Sequence, residues 1–186
     1  MITLEKMEAM KRIKKEYDEI VKEPNLNIGS VVSLLDGEDI FKWRATLRGP
    51  KDTSYNGGLF LLTIIFPDNY PYSRPEVFFK TPIYHLNVNP HKSNMPGAEP
   101  LGHVSMSTLN WWKPEYKIKE VLINIFGLLY SPNPDSPYGL DRAEELRYNR
   151  PLYEEKIRFF TKKYANPSHA DIDKEYNEDW DFRYPQ

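Results

Sequence analysis

No cysteine occurs in the 186 residues of this chain. That absence removes a disulfide framework and any thiolate metal site from consideration. No apolar run approaches the roughly 18–20 residues that a membrane span needs, and the opening stretch Met1–Glu23 is too charged for a secretory signal. Neither sign of charge is in marked excess: 25 Lys and Arg stand against 27 Asp and Glu, and the formal net charge of −2 gives no reason to expect a nucleic-acid partner. Internal repeats and low-complexity tracts are absent. With 40% apolar and 28% charged residues, the composition is that of a soluble globular protein long enough for one domain with a proper core. The expectation is a cytoplasmic or nuclear domain with no membrane segment, metal or cofactor.

Proline and tyrosine are plentiful, at sixteen and thirteen, which implies many turns between short elements. The charges that are present are unevenly placed. Lys11, Arg12, Lys14 and Lys15 cluster near the start, whereas Asp171, Asp173, Glu175, Glu178, Asp179 and Asp181 crowd the last sixteen residues. Such blocks are either solvated faces or docking surfaces.

Leu4, Met7, Met10, Ile13, Tyr17, Ile20 and Val21 recur every three or four residues, predicting a helix with one buried stripe that ends before Pro24. Four strand-like stretches follow: Ser30–Leu35, Phe41–Leu47, Leu59–Phe66 and Glu76–Lys80. In the second, Phe41, Trp43, Ala45 and Leu47 alternate with polar residues. Gly49-Pro50 and Asn56-Gly57-Gly58 read as turns. From Thr81 to Pro114 little regular structure is expected, and so long a loop in a compact domain points to function. A strongly apolar helix then runs through Ile118, Val121, Leu122, Ile125, Leu128 and Leu129 until Pro132. Asp141 can cap a short helix to Tyr148, and Pro151 suits the first turn of a last helix reaching about Tyr164. Strands segregated from helices argue for an α+β fold: an N-terminal helix, a four-stranded antiparallel meander, an active-site loop and three C-terminal helices.

Within the long loop stand Tyr84-His85-Leu86-Asn87-Val88 and Gly102-His103-Val104-Ser105-Met106-Ser107-Thr108-Leu109. Trp112-Lys113-Pro114 and Pro132-Asn133-Pro134-Asp135-Ser136-Pro137 follow. Together with Gly49-Pro50, Tyr55-x-Gly57-Gly58 and Phe66-Pro67-x-x-Tyr70-Pro71, these segments resemble the ubiquitin-conjugating enzyme family in order and spacing. The resemblance covers about Met7 to Ala165. It implies a conjugating domain over residues 1–165, followed by an acidic, aromatic extension over 166–186.

In that family a cysteine carries ubiquitin, or a relative, as a thioester and passes it to a lysine. Here Ser105 stands at the cysteine's place and Leu86 at that of a motif proline. A thiol is partly ionised near neutrality and leaves well, whereas a serine hydroxyl needs an adjacent base. The chain as written is therefore expected to be inactive or trapped as an oxyester. Either the serine is an engineered exchange, or the chain is a natural inactive variant that binds ubiquitin or a partner conjugating enzyme.

By resemblance, Asn87 supplies an amide donor to the oxyanion of the tetrahedral intermediate; it could equally brace the loop. His85 matches a mainly structural histidine. Asp135 and Ser136 occupy places that guard the entrance for the incoming lysine, or simply form a turn. Ser107 stands where many members carry aspartate. His103 and Ser105 share one side of an extended segment, a pairing that would suit a hydrolase, with no acid close in sequence to orient the imidazole. His103 reads otherwise as a solvated surface residue. Asn87 and Ser105 are eighteen positions apart, a longer interval than in simple family members, so residues 89–101 are expected to form either an extra flap beside position 105 or a disordered surface insertion.

Partners are implied in the same way. Lys11, Arg12, Lys14 and Lys15 match the helix face that meets the activating enzyme. Tyr72, Pro114 and Glu115 match loops gripped by RING-class ligases, with Glu115 replacing a small residue. The tail interleaves acids with Tyr176, Trp180, Phe182 and Tyr184, suggesting either a docking motif, cullin-type ligases among its candidates, or a segment folded back on the domain.

Overall fold

The computed structural model describes residues 2–23, 31–34, 39–165 and 180–185. Their order is α1 (Leu4–Lys22), β1 (Val31–Leu34), β2 (Lys42–Arg48), β3 (Leu59–Ile65) and β4 (Glu76–Phe79), then α2 (Ser107–Asn110), α3 (Ile118–Tyr130), α4 (Leu140–Tyr148) and α5 (Arg150–Tyr164). The four strands pair antiparallel in chain order, a meander in which Trp43 faces Leu34 on one side and Ile64 on the other. The architecture is α+β, as the segregation of strands and helices implies.

The alternation expected of β2 is present, with Trp43, Ala45 and Leu47 buried between half-exposed polar residues. β3, a central strand, is buried continuously from Phe60 to Ile64, which is why its sequence is apolar on both faces apart from Thr63. The turn between them uses Gly57 at φ +82°, a left-handed conformation that side chains resist. Trp43 anchors the core, meeting Tyr17 and Phe66 edge-on at centroid distances of 5.3 and 4.7 Å.

The stripe on α1 is not the one expected. Ala9, Ile13, Glu16 and Ile20 are buried, whereas Leu4, Met7, Met10 and Val21 lie exposed. The cause is helical geometry. Each residue advances about 100°, so steps of three fall about 60° behind, and Leu4 ends opposite Ile13. Glu16 belongs to the buried stripe because the rest of the fold serves its carboxylate. Arg12 Nε and the Tyr70 hydroxyl (2.9 Å) donate to one oxygen and the Ile118 amide (2.8 Å) to the other. The carboxylate thus sits at the N-terminus of α3, where the exposed amides and the helix dipole favour negative charge. Glu19 pairs with Lys117 at 2.9 Å, and Glu23 pairs with Lys119, continuing the seam.

The loop after β4 contains a single helical turn, α2, just beyond Ser105. Asp141 lies in the first turn of α4 behind an N-cap at Gly139, so it complements the helix dipole without capping it by a side-chain hydrogen bond. Asn149 caps α5, accepting from the Leu152 amide at 3.4 Å. Pro24, Asn25 and the acidic residues 171–179 lie outside the described residues.

Candidate active site

Residues 83–90 are buried although they form no regular element. Buried backbone needs hydrogen-bond partners, and distant side chains supply them. The Tyr55 hydroxyl donates to the Tyr84 carbonyl at 2.9 Å, and Arg142 Nη1 donates to the His85 carbonyl at 3.2 Å. The Leu86 amide donates to the Tyr153 hydroxyl at 3.3 Å, while the Tyr138 amide donates to the Leu86 carbonyl at 2.8 Å. A proline at position 86 would lack the hydrogen that Leu86 gives to Tyr153.

His85 is 1% exposed. Its Nδ1 accepts the Asn87 amide hydrogen at 3.0 Å, so Nε2 carries the ring hydrogen and donates it to the Leu128 carbonyl, also at 3.0 Å. Burial pulls its pKa down to about 4, with the hydrogen bond to Leu128 opposing and the Arg142 charge assisting. The ring is a neutral brace between the loop and α3.

Asn87 is fully buried, and its amide is committed on both ends. Nδ2 donates to the carbonyls of Asn133 (2.7 Å) and Ser136 (2.9 Å), and Oδ1 accepts the Asn133 amide at 2.8 Å. These bonds hold the 132–137 segment over the site. A donor to an oxyanion would have to give up one of the two carbonyls. Ser105 is half-buried beneath this segment. Its amide donates to the Asn87 carbonyl at 2.8 Å, and its Oγ lies 2.8 Å from Ser136 Oγ. Among the described residues that hydroxyl is its one side-chain partner. Asp135 is 88% exposed and lies 3.8 Å from Arg147.

His103 departs from both sequence expectations. It is 3% exposed and so is not a surface residue. An acid does orient it: Glu99, four positions earlier, places Oε2 at 3.3 Å from Nε2. With that nitrogen toward the carboxylate, Nδ1 accepts the Tyr138 hydroxyl hydrogen. Both ring nitrogens are therefore occupied, and neither serves Ser105. Burial lowers the His103 pKa, Glu99 raising it and Arg74 lowering it further. Burial likewise raises that of Tyr138, with the Glu99 charge adding to the effect.

The extra flap is exposed from His91 to Pro100 and closed at its neck by Asn89. The Asn89 amide group donates to the carbonyls of Glu99 (2.8 Å) and Pro100 (3.0 Å) and accepts from the His91 amide at 3.1 Å. Gly102 follows at φ +80°, and a Cβ there would come 2.0 Å from the Phe79 carbonyl oxygen. Only glycine lets the chain leave the flap, pass β4 and deliver Ser105.

On the outer surfaces, Lys11, Lys14 and Lys15 are exposed, whereas Arg12 is half-buried against Glu16 and the Tyr116 carbonyl. Tyr72 is 71% exposed, and Pro114 and Glu115 are exposed as well. Their loops are joined by Trp112, whose Nε1 donates to the Pro71 carbonyl at 2.7 Å. Ser107 is exposed. Sequence reasoning missed Tyr138, Arg142 and Tyr153, which have no local signal; Tyr55 stood out only as part of the Tyr55-x-Gly57-Gly58 motif, and Glu99 was visible at i−4 from His103.

No helix among the described residues is long and apolar enough to cross a membrane, and no cluster of three or more His, Asp or Glu among them could hold a metal ion. The family model for the ubiquitin-conjugating enzyme matches residues 12–161, which include the meander, the braced loop, Ser105 and the first helices beyond it. The chain belongs to the ubiquitin-conjugating enzyme family.

Proposed function

We propose, from that membership, that position 105 is the point of attachment for ubiquitin or a ubiquitin-like protein, and that serine there stops the cycle at loading. A cysteine at 105 would accept the modifier's C-terminal acyl group from an activating enzyme as a thioester. A lysine amine would then attack the carbonyl carbon; the C–S bond breaks, an amide forms and the thiol is released. The observation that carries the reading of the serine form is the surroundings of Ser105 Oγ. Its partner is another hydroxyl, Ser136, and the two nearby imidazoles are occupied elsewhere. A hydroxyl without a base is a weak nucleophile, and an ester already formed on it is a poor acyl donor to an amine.

On this reading exposed Lys11, Lys14 and Lys15 face the activating enzyme, and Tyr72, Pro114 and Glu115 face a ligase, RING-class or cullin-type. Arg12 belongs to the fold more than to that surface. Ser136, positioned by Asn87, marks the path of the incoming lysine, and Asp135 adds negative charge at its mouth. Residues 1–165 make the conjugating unit and 166–186 an extension to it.

One observation favours the second reading, a variant that binds without chemistry. The three hydrogen bonds of Asn87 give that asparagine a structural reason to be present whether or not residue 105 reacts. The test is loading with activating enzyme, ATP and ubiquitin. The chain as written is expected to form at most an adduct that survives thiol reductant and is cleaved by hydroxide, while Ser105→Cys forms a reductant-labile one. If Ser105→Cys takes up no ubiquitin-like modifier, the carrier reading fails and the binding reading replaces it.

A further inference from the structure

Arg142 is 6% exposed and, among the described residues, has no carboxylate within ion-pair distance. A buried guanidinium keeps its charge and needs compensation. Two rings and one carbonyl provide it. The guanidinium carbon lies 4.4 Å from the centroid of Tyr84 and 4.7 Å from that of Phe182, and Nη1 donates to the His85 carbonyl at 3.2 Å. Tyr84 belongs to the active-site loop, whereas Phe182 comes from the far end of the chain. Phe182 is itself seated, edge-on to Phe160 at 4.9 Å and to Trp180 at 6.0 Å.

We propose that Phe182 is a positioning residue for the active-site loop: it closes the ring pair on Arg142, which in turn holds the His85 carbonyl and with it the segment that carries Asn87. The guanidinium is planar and weakly hydrated, suited to lie against aromatic rings, and the two rings, meeting edge-on with centroids 5.5 Å apart, form a corner around it. With one ring removed, that face opens to water, and a long flexible arginine swings its head toward solvent. Among the described residues the His85 carbonyl then keeps only the Val88 amide, at 3.2 Å. The extension is on this view a component of the site, acting from behind the loop. The consequence for acyl transfer rests on the function proposed above; the structural effect does not.

The test uses the full-length Ser105 chain, followed by amide hydrogen exchange at Leu86–Val88 and by the Arg142 side-chain resonances. Phe182→Leu keeps an apolar group and loses the π face; Phe182→Tyr keeps both. Phe182→Leu is expected to accelerate exchange at Val88 tenfold or more relative to amides of β2 and β3, and Phe182→Tyr to leave it unchanged. In an Arg142→Met background the cation is gone but Phe182 keeps its edge contact with Tyr84, centroids 5.5 Å apart, so Phe182→Leu should accelerate exchange less than about threefold there. Equal exchange in the Leu and Tyr variants, or an acceleration of about threefold or more beside Arg142→Met, overturns the proposal. In the Ser105→Cys form, Phe182→Leu should slow discharge to free lysine at least threefold with loading preserved. Faster Val88 exchange with unchanged discharge removes the positioning role. A Ser105→Cys form that never loads counts against the function and leaves the exchange comparison to judge Phe182.

Discussion

His85 shows how a single proton is built into the loop. Its Nδ1 faces a backbone N–H that cannot turn round, so protonation would set two donors against each other at Asn87. The ordinary value of 6.5 falls to about 4 in the fold. Between those values the unfolded chain binds more protons than the folded one, so stability is full above about pH 6.5 and declines as pH falls toward 4. The difference corresponds to about 3 kcal/mol, and His85→Gln should flatten that part of the stability–pH curve measured by urea unfolding. Asn87 belongs to the same scale. Asn87→Ala leaves two carbonyls and an amide of the 132–137 segment without partners, a cost of about 2–4 kcal/mol. A lower melting temperature is expected, and in the Ser105→Cys form loading and discharge should fall together. A stable variant with normal loading and slowed discharge would restore the oxyanion role. Both residues stood out in the sequence as a motif; where their hydrogens go did not, because the acceptors, Leu128, Asn133 and Ser136, lie more than forty residues away.

Among the elements, α1 and α3 are joined by acids on one and donors on the other: Glu16 to Ile118, Glu19 to Lys117 and Glu23 to Lys119. The exposed pairs contribute little, whereas Glu16 is buried and serves three donors. Glu16→Ala should cost about 3–5 kcal/mol, since Tyr70 and the first amide of α3 lose their acceptor; Glu19→Ala should change the melting temperature by no more than a degree or two. Equal effects would mean that the seam, not the buried carboxylate, docks the helix. The periodicity of α1 revealed a helix and misplaced its buried face, because Leu4, Met7 and Met10 were weighed by hydrophobicity when the core had a use for Glu16. The flap was legible from its length alone. Its neck was not, since the carbonyls that Asn89 holds lie ten and eleven positions further on; Asn89→Ala should open it and speed proteolytic cleavage within residues 91–100, with little change in global unfolding.

At the scale of the whole molecule, the meander and the helices after it were legible because each strand and each buried helix face writes a local period into the sequence. That residues 180–184 fold back on the domain was one of the two readings their aromatics allowed; where they pack was not legible, because Trp180, Phe182 and Tyr184 meet partners in other elements: Phe160 and Tyr164 of α5, Tyr84 of the loop and Phe159 beside Tyr184. Asp181 adds a backbone carbonyl that accepts the Tyr164 hydroxyl and a carboxylate 3.5 Å from Lys163. Trp180, 7% exposed, is part of the continuous core. A chain ended at Ala165 keeps the sheet and every helix found among the described residues, so it should fold, but it returns the faces of Tyr84, Phe160 and Arg142 to water. Burying an aromatic side chain of this size removes roughly 150–250 Å² from solvent; at about 25 cal/mol per Å², loss of Trp180 alone removes about 4–6 kcal/mol as an upper bound. Urea unfolding of the shortened chain should show a lower midpoint and also a smaller slope, since less surface becomes exposed on unfolding. The full chain should unfold in one transition with the steeper slope. If both chains share midpoint and slope, the terminal segment is an appendage without a place in the core.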